Sequence, residues 1–173
     1  MRVELLDIIS WENKEMSKQV EIELMSFNSR RGEFPIAKKA PFVLTFTNLE
    51  NKRLLIQGES DVTITIPCDR CLTDVDRVFR VRVDKEIDLT GEDKEKSMDV
   101  LNYMIGTSLD VDQLIFGEIL VSWPMKVLCK EDCKGICNQC GINLNTSECQ
   151  CQRTELDPRM AAIQDIYNKF KEV

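Results

Sequence analysis

Residues 61–84 read DVTITIPCDRCLTDVDRVFRVRVD, and this stretch decides the fold. Val62, Ile64 and Ile66 alternate with Asp61, Thr63 and Thr65; further on, Phe79, Val81 and Val83 alternate with Arg80 and Arg82. A period of two built on β-branched and aromatic residues marks strands with one face buried. Between the two runs lies Pro67-Cys68-Asp-Arg-Cys71-Leu72, a Cys-x-x-Cys placed at a turn. The stretch therefore predicts a hairpin whose tip carries two thiols.

The same alternation continues outward toward the N-terminus. Val20, Ile22 and Leu24 alternate with glutamates, and Phe42, Leu44 and Phe46 alternate with Val43, Thr45 and Thr47. Gly32 and Pro35 punctuate a loop, and Asn48 to Lys52 is a polar turn before Leu54 and Ile56. Several strands joined by short turns predict an α+β protein. Its main part is an antiparallel β sheet or partly closed barrel, with a few helices. Toward the C-terminus, GEDKEKS at 91–97 reads as a charged loop. From Asp110 the period changes: Val111, Leu114, Ile115, Ile119 and Leu120 fit one helical face. Asp110 is placed to cap it, Gln113 resembles the second member of a capping box, and Trp123-Pro124 ends it. A last helix is expected to start at Asp157-Pro158. Its stripe of Met160, Ile163, Tyr167 and Phe170 is expected to dock on the sheet. The chain is thus expected to divide into a β-rich core domain, 1–128, with a helix near 110–122, and a cysteine-rich module with the last helix, 129–173, whose metal-binding character follows from its cysteines.

Composition narrows the class. The chain has 173 residues, 43% of them hydrophobic, which suits one buried core. The start, MRVELLDIISWENKE, lacks the features of a secretory signal, and no apolar run is long enough to span a bilayer. A soluble, cytoplasmic protein is expected. Net charge is −7, and the acid excess falls mostly in residues 61–128. Such a chain is a poor non-specific binder of naked nucleic acid.

Six of the eight cysteines crowd into one segment: Cys129, Cys133, Cys137, Cys140, Cys149 and Cys151. Cys137-Asn-Gln-Cys140-Gly141 has the spacing of a zinc knuckle, in which two thiolates on one tight turn reach one tetrahedral ion. The glycine lets backbone N–H groups approach the sulfurs. Cys149 and Cys151, a short loop away, can complete the tetrahedron. The remaining four, Cys68, Cys71, Cys129 and Cys133, would form a second site. One C-terminal site alone, with the hairpin pair free, and a six-cysteine binuclear cluster are the rival groupings, so the zinc count is one or two. A disulfide framework needs an oxidising compartment, to which nothing here directs the chain. An iron–sulfur cluster and a zinc-thiolate redox switch or chaperone remain as alternatives.

The chain has no histidine. Catalytic zinc sites and serine or cysteine hydrolases ordinarily require one. There is no glycine-rich phosphate loop, no carboxylate pair is singled out by spacing, and no small-molecule substrate is indicated. Four-thiolate zinc is coordinatively closed. It would contribute on the order of 10 kcal/mol to folding of the tail. A protein that is not an enzyme is expected.

The order of motifs resembles one family. It runs Cys68-x-x-Cys71-Leu72, Trp123-Pro-Met125-Lys-Val-Leu-Cys129, Cys133-Lys-Gly135-Ile-Cys137-Asn-Gln-Cys140-Gly-Ile-Asn143-Leu-Asn145, Cys149-Gln-Cys151 and Asp157-Pro158-Arg159. This is similar to the YceD family of bacterial and plastid proteins. The resemblance implies a role in 23S rRNA accumulation or processing, and so in large ribosomal subunit assembly. The implied partners are the 23S rRNA precursor or large-subunit ribosomal proteins. For such a partner, Arg30, Arg31, Lys38 and Lys39 are the candidate contact residues. Asp157 and Arg159, which match the family's Asp-Pro-Arg, are expected to cap the last helix and to lock it to the zinc module.

Overall fold

A computed structural model describes residues 1–50, 52–89 and 102–151, together with positions 160, 163, 166 and 167. The expected 91–97 loop and Asp157, Pro158, Arg159 and Phe170 lie outside the described residues. The alternating stretch forms the longest hairpin of the main sheet. Strands β6 (Arg53–Pro67) and β7 (Asp74–Asp88) pair antiparallel over their full length, from Arg53 opposite Asp88 to Pro67 opposite Asp74. Leu54, Ile56, Val62, Ile64 and Ile66 of β6, with Phe79, Val81, Val83 and Ile87 of β7, are buried. The period-two pattern has put every second side chain on the core face.

The other edge of β6 is shared by two strands. β5 (Phe42–Leu49) pairs with its first part, Arg53 to Gly58, and β4 (Gly32–Lys39) with Val62 to Ile64. Both are antiparallel to β6, so they follow each other along one edge. The break between them falls at Ala40-Pro41, where proline has no N–H to give to a ladder. β2 (Glu15–Val20) extends the sheet beyond β5, and β3 (Ser26–Ser29) forms a hairpin with β4. Among the described residues no pairing joins β7 back to β2 or β3, so this six-stranded sheet is open and not a partly closed barrel. β1 (Arg2–Glu4), β8 (Met104–Ile105) and β9 (Ser108–Asp110) form a small second sheet. α1 (Leu6–Ile9) is a single turn, and α2 (Val111–Val121) is the longer helix.

Two expectations are corrected in detail. Ile22 and Leu24 were expected to continue the first alternating strand, but β2 stops at Val20. The N–H groups of Glu23 and Leu24 donate instead to the Asp112 carboxylate, at 2.8 and 3.2 Å, so this segment is held by a side chain at the start of α2. Asp110 caps α2 as expected, its carboxylate accepting from the N–H groups of Asp112 and Gln113 at 3.1 and 3.2 Å. Its own N–H donates to the Tyr103 carbonyl, so the reciprocal half of a capping box is already satisfied by backbone. Val111, Leu114, Ile115 and Ile119 are buried, whereas Leu120, expected on the same face, is 52% exposed. One residue is a rotation of about 100° on a helix, enough to carry Leu120 off the buried stripe.

Aromatic rings close the core beyond α2. Trp123 stacks on Phe27 and Phe79 at centroid distances of 4.8 and 5.3 Å and lies 5.2 Å from Phe34; Phe27 also stacks on Phe116 at 4.6 Å. The residue expected only to end the helix therefore also gathers β3, β4 and β7 around one ring. Elsewhere, the buried Asn48 side chain donates to the carbonyls of Ile8, Ile9 and Trp11 at 2.9 to 3.2 Å. It satisfies the C-terminal carbonyls of a helix too short to satisfy them itself.

The chain gathers into two compact units. One comprises Met1–Pro67 with Asp74–Val127, and the other Cys68–Thr73 with Leu128–Val173. In the second unit Met160, Ile163, Ile166 and Tyr167 are helical but 51 to 62% exposed. Among the described residues no helix is long and apolar enough to cross a membrane.

A close approach at one glycine of the sheet yields a stability test. Gly58 stands opposite Leu44, and a Cβ added there would lie 2.7 Å from Leu44 Cδ2 and 2.8 Å from the Val43 carbonyl oxygen. Backbone cannot yield as a side-chain tip can. Gly58→Ala is expected to lower unfolding stability by about 1–3 kcal/mol, measured by urea denaturation; an unchanged midpoint would show that the strands separate without cost.

Candidate metal centre

The Cys68–Thr73 turn is a tight knuckle. The Leu72 N–H donates to the Cys68 carbonyl at 3.0 Å, and the Cys68 N–H donates to the Thr73 carbonyl at 2.8 Å. Cys137 to Gly141 repeats the first of these bonds, the Gly141 N–H donating to the Cys137 carbonyl at 2.9 Å. In both turns the residue after the second cysteine has positive φ, +61° for Leu72 and +73° for Gly141. Glycine takes that conformation freely, while leucine is held in it at a cost of about 1 kcal/mol. The two knuckles are thus the same backbone device.

Each knuckle meets two more cysteines. Cys68, Cys71, Cys129 and Cys133 form one group and Cys137, Cys140, Cys149 and Cys151 another; within each, all sulfurs lie within 4.8 Å of one another. In the first group Cys68 and Cys133 are 3.8 Å apart and Cys71 and Cys129 3.5 Å. A Zn–S bond of about 2.3 Å puts tetrahedral sulfurs about 3.8 Å apart, whereas a disulfide needs about 2.05 Å. The donor sets and their spacing fit a tetrahedral thiolate-bound ion, and either group could hold one metal. The grouping is the one expected for two four-cysteine sites.

The thiols are already polarised unequally. Burial pushes Cys68 up, but N–H groups of Arg70, Cys71 and Cys129 outweigh it and bring Cys68 down to about 6. N–H groups of Cys140 and Gln139, with the Cys149 thiol, bring Cys137 down to about 6. The donors at this knuckle are thus Cys140 and Gln139; Gly141 closes the turn. Cys71 is lowered by the Thr73 hydroxyl and N–H. Cys129 is pushed up to about 12 by Cys71 and by burial, and Cys151 up to about 12 by Cys140 and by burial. In each group one sulfur gives up its proton readily, and another resists a further negative charge beside it. A divalent cation removes that opposition, and its binding releases the remaining protons.

A polar frame surrounds the first group. Asn145 Nδ2 lies 3.4 Å from Cys133 Sγ, and its Oδ1 accepts from the Lys134 N–H at 2.9 Å. Asn143 Oδ1 accepts from the Asn145 N–H and Nδ2, both at 2.9 Å, and Asn143 Nδ2 donates to Thr73 Oγ1 at 3.2 Å. Arg70 donates from Nη1 to the Cys133 carbonyl at 2.9 Å, while its own carbonyl accepts from the Ile136 N–H at 3.1 Å. Gly135 lets this happen: its φ is +78°, and a Cβ there would lie 3.1 Å from the Arg70 carbonyl oxygen. Sequence reasoning about ligands passed over Arg70, Thr73, Asn143 and Asn145. The available signal was two asparagines spaced by one residue inside a cysteine-rich run, where side-chain amides serve tight turns. The second group is more open: Cys137 is buried, Cys140 exposed, and Cys149 and Cys151 intermediate.

The four basic candidates are not one patch. Arg30 and Arg31 occupy the β3–β4 turn, and Lys38 and Lys39 the opposite end of β4. Lys39 Nζ donates to the Leu24 carbonyl at 2.7 Å, so its charge is already engaged with backbone.

The open sheet and paired cysteine groups define a β protein bearing a two-knuckle module able to hold metal. Residues 56–167 match the family described as Large ribosomal RNA subunit accumulation protein YceD, and the chain belongs to that family. Its curated relatives include uncharacterized proteins of Mycobacterium bovis and Mycobacterium tuberculosis, each 27% identical over 120 residues, covering 65% of this chain and 55% of theirs. An uncharacterized protein of Mycobacterium leprae is 26% identical over 115 residues, covering 65% and 52%. The chain thus spans about half the length of the curated relatives it matches. No solved structure matches it significantly.

Because Asn145 touches Cys133 and orders the loop that presents it, Asn145→Ala is expected to weaken metal binding at the first group about 10- to 100-fold and to spare the second. Competition with a chromophoric chelator, which resolves the two affinities, measures this. Equal weakening at both would show a general loosening of the module.

Proposed function

We propose that the chain is a non-enzymatic, cytoplasmic factor in 23S rRNA accumulation or processing, acting in large ribosomal subunit assembly, with zinc as its structural metal. Family membership over residues 56–167 supports the biological role, since the family takes its description from large-subunit rRNA accumulation. The two four-sulfur groups support the physical part. A tetrahedral ion bound by four thiolates has no open position for water or substrate, so its contribution is to folding. Cys68, Cys71, Cys129 and Cys133 hold one zinc in this reading, and Cys137, Cys140, Cys149 and Cys151 the other. The working partners are the 23S rRNA precursor or large-subunit ribosomal proteins. With a net charge of −7, the chain engages RNA locally or through a protein, not by broad electrostatic attraction.

The uneven exposure of the two groups favours one subsidiary reading, a redox response at the second. Under mild peroxide, zinc is then lost first from Cys137, Cys140, Cys149 and Cys151, whose sulfurs are the more accessible.

Two measurements test the main reading. Elemental analysis of reduced protein should give two zinc ions per chain, falling to one in Cys137→Ser/Cys140→Ser; one ion in the unaltered protein would reject the two-site assignment. Depleting the protein from cells should lower 23S rRNA relative to 16S rRNA, and an unchanged ratio would remove the assembly role.

A further inference from the structure

We infer that the groove between the β3–β4 turn and the end of α2 is a docking site for a short peptide segment of another protein, one carrying apolar anchors beside acidic residues. The cavity there measures about 620 Å³, and Phe27, Phe116, Leu120 and Met125 line it together with Arg30 and Arg31. Around the end of α2 three large apolar side chains stand in solvent: Leu120 is 52% exposed, Val121 85% and Met125 94%. Single exposed apolar residues are ordinary, but two of these, Leu120 and Met125, line a cavity that Phe27, Phe116 and Trp123 also line.

Charge selects the occupant. Arg30 and Arg31 are exposed, and among the described residues neither is paired with a carboxylate. The carboxylate on the same hairpin, Glu33, accepts from Ser26 Oγ at 2.6 Å and does not line the cavity. Two free guanidiniums at an apolar groove complement a ligand with apolar side chains and adjacent carboxylates. Nucleobases fit less well. They would need open aromatic faces, but Phe27 is stacked between Phe116 and Trp123, and Trp123 between Phe27 and Phe79. Phe116 and Trp123 are half-buried, and the exposed apolar lining, Leu120 and Met125, is aliphatic and thioether surface, which suits an amphipathic segment laid into a groove. This site stands independently of the zinc and rRNA readings.

The test uses a random peptide library displayed on phage, selected on the reduced 173-residue chain as purified and counter-selected on its Leu120→Ser/Met125→Ser variant. Both substituted side chains are exposed, and circular dichroism checks that the variant folds. Enriched peptides are expected to place Asp or Glu beside Leu, Phe or Met. In a Trp11→Phe background Trp123 is the sole tryptophan, so its emission reports binding of a synthetic copy of the best peptide. Arg30→Glu/Arg31→Glu should weaken that binding at least about tenfold, and Arg30→Lys/Arg31→Lys should retain most of it. No enrichment, basic consensus peptides, or equal affinity for the charge-reversed variant would overturn the proposal. So would displacement of the peptide by oligouridylate, which would make the groove an RNA site, or dimerisation lost with Leu120→Ser/Met125→Ser, which would make a second copy the occupant.

Discussion

The uninterrupted β6–β7 ladder is the constraint from which the rest of the structure follows. Its pairing runs from Arg53 opposite Asp88 to Pro67 opposite Asp74 without a bulge. A slip of one residue would turn Phe79, Val81 and Val83 to solvent and bring arginines into the core. The register is therefore fixed by burial, and burial also fixes where the ladder stops. It stops at a turn whose two cysteines must then point their sulfurs inside one tight knuckle. Gly58 continues the core-facing row of β6 with no side chain, which leaves room for Leu44 of β5 opposite it. The hydrophobic pattern of two strands thus places both the neighbouring strand and the first pair of thiols.

The second constraint is the mutual repulsion of sulfur anions. Four thiols within 4.8 Å of one another cannot all ionise without a counter-charge. The split between Cys68 near 6 and Cys129 near 12 expresses that conflict within one group, and Cys137 with Cys151 repeats it in the other. Backbone N–H groups supply part of the compensation, and a divalent cation bound there would supply the remainder. That both knuckles reach the same φ, one through glycine and one through a strained exposed leucine, shows how closely sulfur placement controls the backbone around it.

Much of this was legible in the sequence because it depends on short periods. Alternation gave the long hairpin, the 3.6 period gave α2, and Cys-x-x-Cys spacing gave both knuckles, while the grouping of the other cysteines stayed open among rivals. What escaped detection was tertiary. Asp112 drew Glu23 and Leu24 away from strand pairing, and no local pattern announces a carboxylate arriving from almost ninety residues away. Leu120 matches the helical stripe within the tolerance of a pattern, yet it stands about 100° round the helix from buried Ile119 and is exposed. Trp123 reads as a helix stop, while its larger role depends on Phe27, Phe34 and Phe79 coming from three strands. Asn143 and Asn145 look like loop polarity until the sulfur they support is placed beside them. The barrel alternative failed for a related reason: closure depends on edge strands meeting, and alternation describes each strand alone.

A family linked to ribosomal RNA accumulation and a chain this acidic pose a charge problem. A polyanion is attracted over long range only by a surface that releases its counterions, and a net charge of −7 works against that. The basic candidates do not rescue it, since they sit at opposite ends of β4 and Lys39 is occupied by a carbonyl. The acid excess, concentrated in residues 61–128, gives the β-rich unit a negative field. Arg30 and Arg31 then stand out as a local reversal of that field, beside apolar side chains that the aromatic stack leaves uncovered. Where charge reverses and apolar surface coincides, discrimination between partners is strongest, because a wrong partner leaves a guanidinium desolvated without a carboxylate to meet it.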